Sequence, residues 1–158
     1  LQWRGLQSFL KLKREQTYMN IERIKETLIK HEGLVLDMYK CTAGVWTIGV
    51  GHNLEEKGVS KRVATMMLEE DINDALDDLE RNITFFHSLP GAAQEALVNL
   101  AFNLGITRLM QFRKTLGLLR EHKFTKAANE LLDSRYATQV GYRALEVAEM
   151  IRSCDDVD

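Results

Sequence analysis

Glu32-Gly33-Leu34-Val35-Leu36-Asp37-Met38-Tyr39-Lys40-Cys41-Thr42-Ala43-Gly44-Val45-Trp46-Thr47-Ile48-Gly49-Val50-Gly51-His52 is the stretch that decides the fold. Ahead of it, Ile21, Ile24 and Leu28 recur at helical spacing behind Asn20, a favourable N-cap, which predicts a helix ending near His31. Inside it the period changes. Residues 34–39 and 45–50 are short β-prone runs separated by Thr42, Ala43 and Gly44, which predicts a small antiparallel hairpin. Gly49 and Gly51 allow tight backbone geometry just before His52.

Downstream of the hairpin the helical period returns. Ser60 reads as an N-cap, and Val63, Met66, Met67, Ile72, Leu76 and Leu79 mark one stripe of a long helix over 60–81. Met66 and Met67 are expected to fill core. The rest of that helix is polar, as suits an element joining two lobes. Pro90-Gly91 then punctuates the chain, and 92–104 is apolar almost all round, which predicts a buried central helix stopped by Gly105. Shorter helices are expected around 109–112, 114–121, 126–133 and 142–151. There is no internal repeat.

The expected class is therefore α+β and mainly helical. A hairpin lobe (19–59) is joined by one helix (60–81) to an all-helical lobe (82–154), with an acidic tail at 155–158. A chain of 158 residues, 45% hydrophobic and 28% charged with a single proline, has the size and composition for such a body. No run approaches the roughly 18–20 apolar residues of a membrane span, and no secretory signal pattern is visible. Two cysteines, Cys41 and Cys154, are too few for a disulfide framework and suit a reducing compartment.

The net charge of −2 is unevenly placed: Arg4, Lys11, Lys13 and Arg14 against Glu15 put +3 on residues 1–18, leaving −5 on the remainder. An acidic body argues against a nucleic-acid partner. The basic N-terminal stretch also carries Trp3, Leu6, Phe9 and Leu10 at helical spacing. It reads as an amphipathic extension able to attach to an anionic membrane surface, or as a leader that docks on the body or stays loose.

Composition and periodicity go no further, and the chemistry comes from the opening stretch. In it Glu32, Gly33, Tyr39, Thr42, Gly44, Thr47, Ile48, Gly49, Gly51 and His52 fall without a gap in the pattern of the phage lysozymes of the T-even endolysin type, a glycoside hydrolase family that the chain resembles. The similarity continues more loosely through 96–105, Ser134-Arg135-Tyr136 and 139–143. It covers residues 19–152 and leaves out 1–18.

That resemblance implies a lysozyme-like two-lobed fold and a set of roles. Glu32 would protonate the glycosidic oxygen, which requires a carboxyl that holds its proton, as partial burial at a helix end would favour. Arg143 would position Glu32 while opposing that effect. Thr47 would hold a water on the far face of the sugar, the side of attack in an inverting enzyme. Phe102 and Asn103 would face the cleft and touch sugar, with a plain core role as the alternative for Phe102. His52 would be structural, paired with Asp71 on the long helix. No metal and no cofactor are implied.

Cys41 departs from the pattern, because most members of the family carry an aspartate there as the second carboxylate. An unperturbed thiol, with a pKa of about 8.5, is only slightly ionised at neutral pH. In the first of three readings the thiolate takes over as base or nucleophile. Some phage relatives carry a natural cysteine here, and these membrane-released endolysins cage it in a disulfide until release. In the second, the substitution lowers activity. In the third, Cys41 is inert and Asp37 or solvent supplies the base. The first is preferred, since a thiol is chemically competent and the rest of the motif is intact. It also opens a redox switch, with Cys154 as the one other cysteine of the chain, although a free tail cysteine is the preferred reading of Cys154.

The leading expectation is thus a muramidase that cuts the β-1,4 bond between N-acetylmuramic acid and N-acetylglucosamine. Such an enzyme would be a monomer, made in the host cytoplasm and acting on peptidoglycan glycan strands in the periplasm or wall after release. The rivals are a wall-binding module that has lost turnover through position 41, and a lytic transglycosylase, which needs no second base.

Overall fold

A computed structural model of the chain describes residues 19–156. The expectations for residues 1–18 and for the last two residues of the tail lie outside them. The chain divides into two compact units between Ser60 and Lys61. The class is α+β and mainly helical.

The first unit opens with helix α1 (Ile21–Glu32), capped by the Asn20 side chain, which accepts the Arg23 N–H at 3.1 Å. Three strands follow, β1 (Val35–Lys40), β2 (Trp46–Gly49) and β3 (His52–Asn53), in an antiparallel sheet of order β1-β2-β3. The sequence predicts only two of them. Residues His52 and Asn53 make too short a run to show a period, and they join the sheet by pairing with Ile48 and Thr47. A single turn of helix, α2 (Leu54–Lys57), closes the unit and has no periodic signature either.

Apolar burial does not hold this unit together. Among residues 19–60 only Thr47 is buried, and Ile24, Leu28 and Ile29 of α1 are exposed. Sheet ladders, side-chain caps and glycine turns do the holding instead.

The second unit begins with α3 (Lys61–Asn82), a helix of 22 residues. Met66 and Met67 correct the reading from spacing: they are 49% and 51% exposed. The core of this unit engages α3 only in its second half, where the helix buries Ala75 and Leu79. After a 3-10 turn (Phe86–Ser88), α4 (Gly91–Leu104) is the apolar central helix, with Ala93, Ala96, Leu97, Leu100 and Ala101 buried and Gly105 as its stop.

Around α4 stand α5 (Ile106–Leu109), α6 (Arg113–Arg120), α7 (Phe124–Leu132), α8 (Arg135–Val140) and α9 (Tyr142–Arg152). The expected short helices are present with shifted ends, and α8 is an addition. Fully buried Leu97, Leu119, Leu131 and Ile151 each contribute about 1.5–3 kcal/mol, so here burial does dominate.

The chain then turns through Ser153–Asp155 and tucks Cys154 into the core at 8% exposure. Its thiol points at the Met150 carbonyl, and burial pushes its pKa up. Asp155 reaches α7, where its Oδ2 accepts the N–H and the hydroxyl of Thr125 at 2.7 and 2.6 Å. Among the described residues no helix is long and apolar enough to cross a membrane.

Candidate active site

Glu32 is the last residue of α1. The helix stops there because Gly33 takes φ +78°, a left-handed conformation that side chains disfavour, while its N–H still reaches the Ile29 carbonyl at 2.9 Å. This leaves the Glu32 side chain exposed, which corrects the expected partial burial. The turn between β2 and β3 stands beside it. Gly51, at φ +66°, lies so close that a β-carbon placed on it would be 3.7 Å from Glu32 Oε2.

Cys41 sits at the end of β1, where the chain reverses into β2. Its N–H donates to the Val45 carbonyl at 3.0 Å, and its own carbonyl accepts from Gly44 N–H at 2.8 Å. Gly44 completes the turn at φ +77°. The thiol lies in the mouth of this turn. The backbone N–H of Val45, then that of Ala43, and more weakly the Thr47 hydroxyl hold its pKa below the ordinary thiol value, with desolvation acting against them.

Thr47 shares the face of β1 and β2 that carries this chemistry, since Tyr39 pairs with Thr47 and Lys40 with Trp46. It is 4% exposed, and its hydroxyl donates to the Val45 carbonyl at 3.0 Å. A hydroxyl has one hydrogen. In this structure Thr47 gives it to the Val45 carbonyl. Asp37, the alternative base, is exposed in β1 between Val35 and Tyr39, where the pairing with β2 is irregular.

His52 opens β3, and its Nε2 lies 2.6 Å from the Gly58 carbonyl. A carbonyl only accepts, so this nitrogen carries the hydrogen. Asn53 caps the start of α2 by accepting the Glu56 N–H at 3.0 Å.

In the second unit, Asp71 and Phe102 line one cleft of about 280 Å³ with Asp74 and Asp78, floored by Ala75 and Ala101. Phe102 is 45% exposed, so the core alternative for it falls away. Asn103 is exposed beside it on α4. Arg143 donates from Nε to Asn99 Oδ1 at 2.9 Å. Asn99 was missed from sequence, although an amide in the middle of an apolar helix, three and four residues before Phe102 and Asn103, was a signal.

A larger cleft of about 800 Å³ also escaped the sequence reading. It carries Arg108, Arg113, Lys114 and Arg135 against Glu130 and is backed by Tyr136. The Tyr136 ring packs edge-on against Phe112, and burial raises its phenol pKa while Arg143 lowers it.

Comparison with known proteins gives a consistent picture. Residues 29–148 match the Phage lysozyme family. The chain is 27% identical to "Probable T4-type lysozyme 1" of Dictyostelium discoideum, over 84% of this chain and 95% of that protein. It is 30% identical to a "SAR-endolysin" of Haemophilus phage HP1, over 83% of this chain and 63% of the relative. An "Endolysin" of Acyrthosiphon pisum secondary endosymbiont phage 1 is 38% identical over 56% and 62% of the two chains.

Proposed function

The chain belongs to the phage lysozyme family, and from that premise we propose that it is a muramidase in which Glu32 is the acid and the Cys41 thiolate replaces a carboxylate base. Membership makes it a glycoside hydrolase of peptidoglycan. The bond we assign is the β-1,4 linkage between N-acetylmuramic acid and N-acetylglucosamine, cut during host lysis once the protein reaches the wall.

The observation that supports the assignment is the state of Cys41. The Val45 and Ala43 amides, and more weakly the Thr47 hydroxyl, lower its pKa, which favours the thiolate that can take a proton. In the proposed reaction Glu32 gives its proton to the departing glucosamine oxygen as the bond to muramic acid C1 breaks. A water attacks that carbon and loses its proton to the Cys41 thiolate. Thr47 orients the sulfur and the water it activates.

Glu32 is exposed in the free protein and so is open to the departing sugar oxygen. Phe102 and Asn103 contact sugar, with Asp71 and Arg143 as supporting residues. The basic cleft around Arg108 and Arg135 offsets the acidic net charge toward an anionic polymer. The protein works as a monomer, and residues 1–18 provide attachment to an anionic membrane surface.

Clearing of permeabilised Gram-negative cells tests the assignment, with Glu32→Gln as control. The wild type is expected to clear the suspension and release reducing-end muropeptides. Clearing no faster than Glu32→Gln leaves a wall-binding module, and anhydro products seen by mass spectrometry would mark a transglycosylase.

A further inference from the structure

One peptide unit, between Val45 and Trp46, carries both residues proposed to handle the water. Its carbonyl oxygen accepts the Cys41 N–H at 3.0 Å and the Thr47 hydroxyl at 3.0 Å. The N–H at its other end donates to Glu55 Oε1, also at 3.0 Å. We infer that Glu55 is a positioning residue, which fixes Cys41 and Thr47 by clamping the Val45–Trp46 peptide. The inference rests on the reading of Cys41 and Thr47 as working residues.

The physics of the clamp is direct. A peptide is a rigid plane, so a partner on its N–H sets the direction of its carbonyl. A carboxylate is the strongest such partner among side chains, and a bonded N–H polarises the carbonyl behind it into a better acceptor. Loss of Glu55 therefore acts on two bonds at once. The plane tilts, and both the Cys41 backbone and the Thr47 hydroxyl lose their aligned acceptor. The Val45 N–H, the leading support of the thiolate, belongs to the residue whose carbonyl is being clamped.

The structure also accounts for how Glu55 is held out to meet Trp46. Glu55 stands on α2, a helix of four residues, and a single turn does not hold itself in water. Both ends of α2 are tied. Asn53 caps the first turn through the Glu56 N–H, and His52 grips the Gly58 carbonyl just past the last. Gly58, at φ +55°, returns its N–H to Leu54. From the other strand, the Lys40 ammonium lies 5.1 Å from the centre of the Trp46 ring, anchoring the same residue by its side chain. His52 thus contributes to the site as the brace of the helix that carries the clamp.

The test compares Glu55→Ala with Glu55→Gln, whose amide oxygen still accepts the Trp46 N–H. Two readouts are followed: site-resolved alkylation of Cys41 against pH, mapped by mass spectrometry, and wall-clearing kinetics. In Glu55→Ala the Cys41 alkylation profile is expected to shift to higher pH. Its rate at neutral pH should fall roughly threefold, as the thiolate fraction falls. Turnover should drop while half-saturation by wall is unchanged, and Glu55→Gln should recover most of both. If the alanine variant does not fold, Glu55→Asp, one methylene too short, is read for the same effects.

An unmoved alkylation profile in a folded Ala or Asp variant overturns the inference, as does a Gln variant no better than Ala. Alkylation does not depend on turnover. A shifted profile in a protein that never clears wall keeps the clamp and removes the lysozyme assignment, whereas normal clearing with an unmoved profile does the reverse.

Discussion

The Glu32 carboxylate and the Gly51 backbone, 19 positions apart in sequence, are neighbours. A β-carbon on Gly51 would stand 3.7 Å from Glu32 Oε2. The neighbourhood arises from two conformations that favour glycine. Gly33 stops α1 so that Glu32 is its last residue, and Gly51 turns β2 into β3 beside the helix end. A contact of 3.7 Å is ordinary van der Waals distance. The glycine is therefore required chiefly by its φ of +66° and only secondarily by space.

Those two terms separate by substitution. Gly51→Ala adds no clash, so it is expected to cost about 1–2 kcal/mol of stability from the left-handed backbone alone, with kcat within a few-fold of wild type. Gly51→Val adds branches that press on the carboxylate and should also lower kcat. Urea denaturation read alongside clearing kinetics measures both. Equal kcat losses in the two variants would contradict this division.

Asp155 gives a second prediction. Its carboxylate caps the start of α7 from 30 residues away, through the N–H and hydroxyl of Thr125. Neither Lys123 nor any other local side chain caps that helix. Asp155→Ala is expected to cost about 0.5–2 kcal/mol, the range for losing a side-chain cap, and Asp155→Asn less. Chemical denaturation decides it, and catalysis should be unaffected.

Phe102 distinguishes a sugar contact from a core residue. At 45% exposure it buries too little for Phe102→Ala to cost the ~3–5 kcal/mol of a truncated core aromatic. The expected outcome is a stability change under about 1 kcal/mol, with weaker wall binding seen as a higher KM. Leu97→Ala, at a position with no exposed surface, is the contrast and should cost about 2–5 kcal/mol.

How much of this the sequence discloses depends on which force shapes each element. Gly33, Gly44, Gly49 and Gly51 all take positive φ, and a backbone need of that kind shows in residue type alone. Asn20 and Gly105 likewise mark helix ends by their own chemistry. Strand β3 and helix α2 left no such trace, since hydrogen bonds from Ile48, Asn53 and His52 hold them rather than any period. The Ser134 cap and Gly141 stop of α8 were visible in type and went unread beside its short length.

Apolar spacing misled in one direction. Met66 and Met67 repeat as a core stripe would, yet a stripe records only which residues share a face and not what covers that face. Cys154 shows the converse, an apparent tail residue drawn into the core by the Ser153–Asp155 turn. At the site, Glu32, Cys41 and Thr47 were legible as types. Asn99 and Glu55 were not, because each matters through one bond to a residue distant in sequence.

Cys41 carries the last prediction, which concerns pH. Its pKa is lowered, so the native state sheds this proton at a pH where the unfolded chain still binds it. The sign follows from linkage. Its contribution to stability is complete above the unfolded value, declines as pH falls toward the folded one, and is absent below it. The thiol is only partly covered, so this contribution is small and the kinetics are the better probe. If the thiolate takes the water's proton, clearing rises with pH along a limb centred below the ordinary thiol value. Cys41→Asp moves that limb several pH units down, toward the carboxylate range near about 3.9. Cys41→Ala removes it and should lower kcat by about 10²–10⁴, the usual worth of a general base. The measurement is kcat against pH for the three proteins, corrected for folded fraction. A limb that stays in place in Cys41→Asp, or a Cys41→Ala variant as fast as wild type, would show that the proton goes elsewhere.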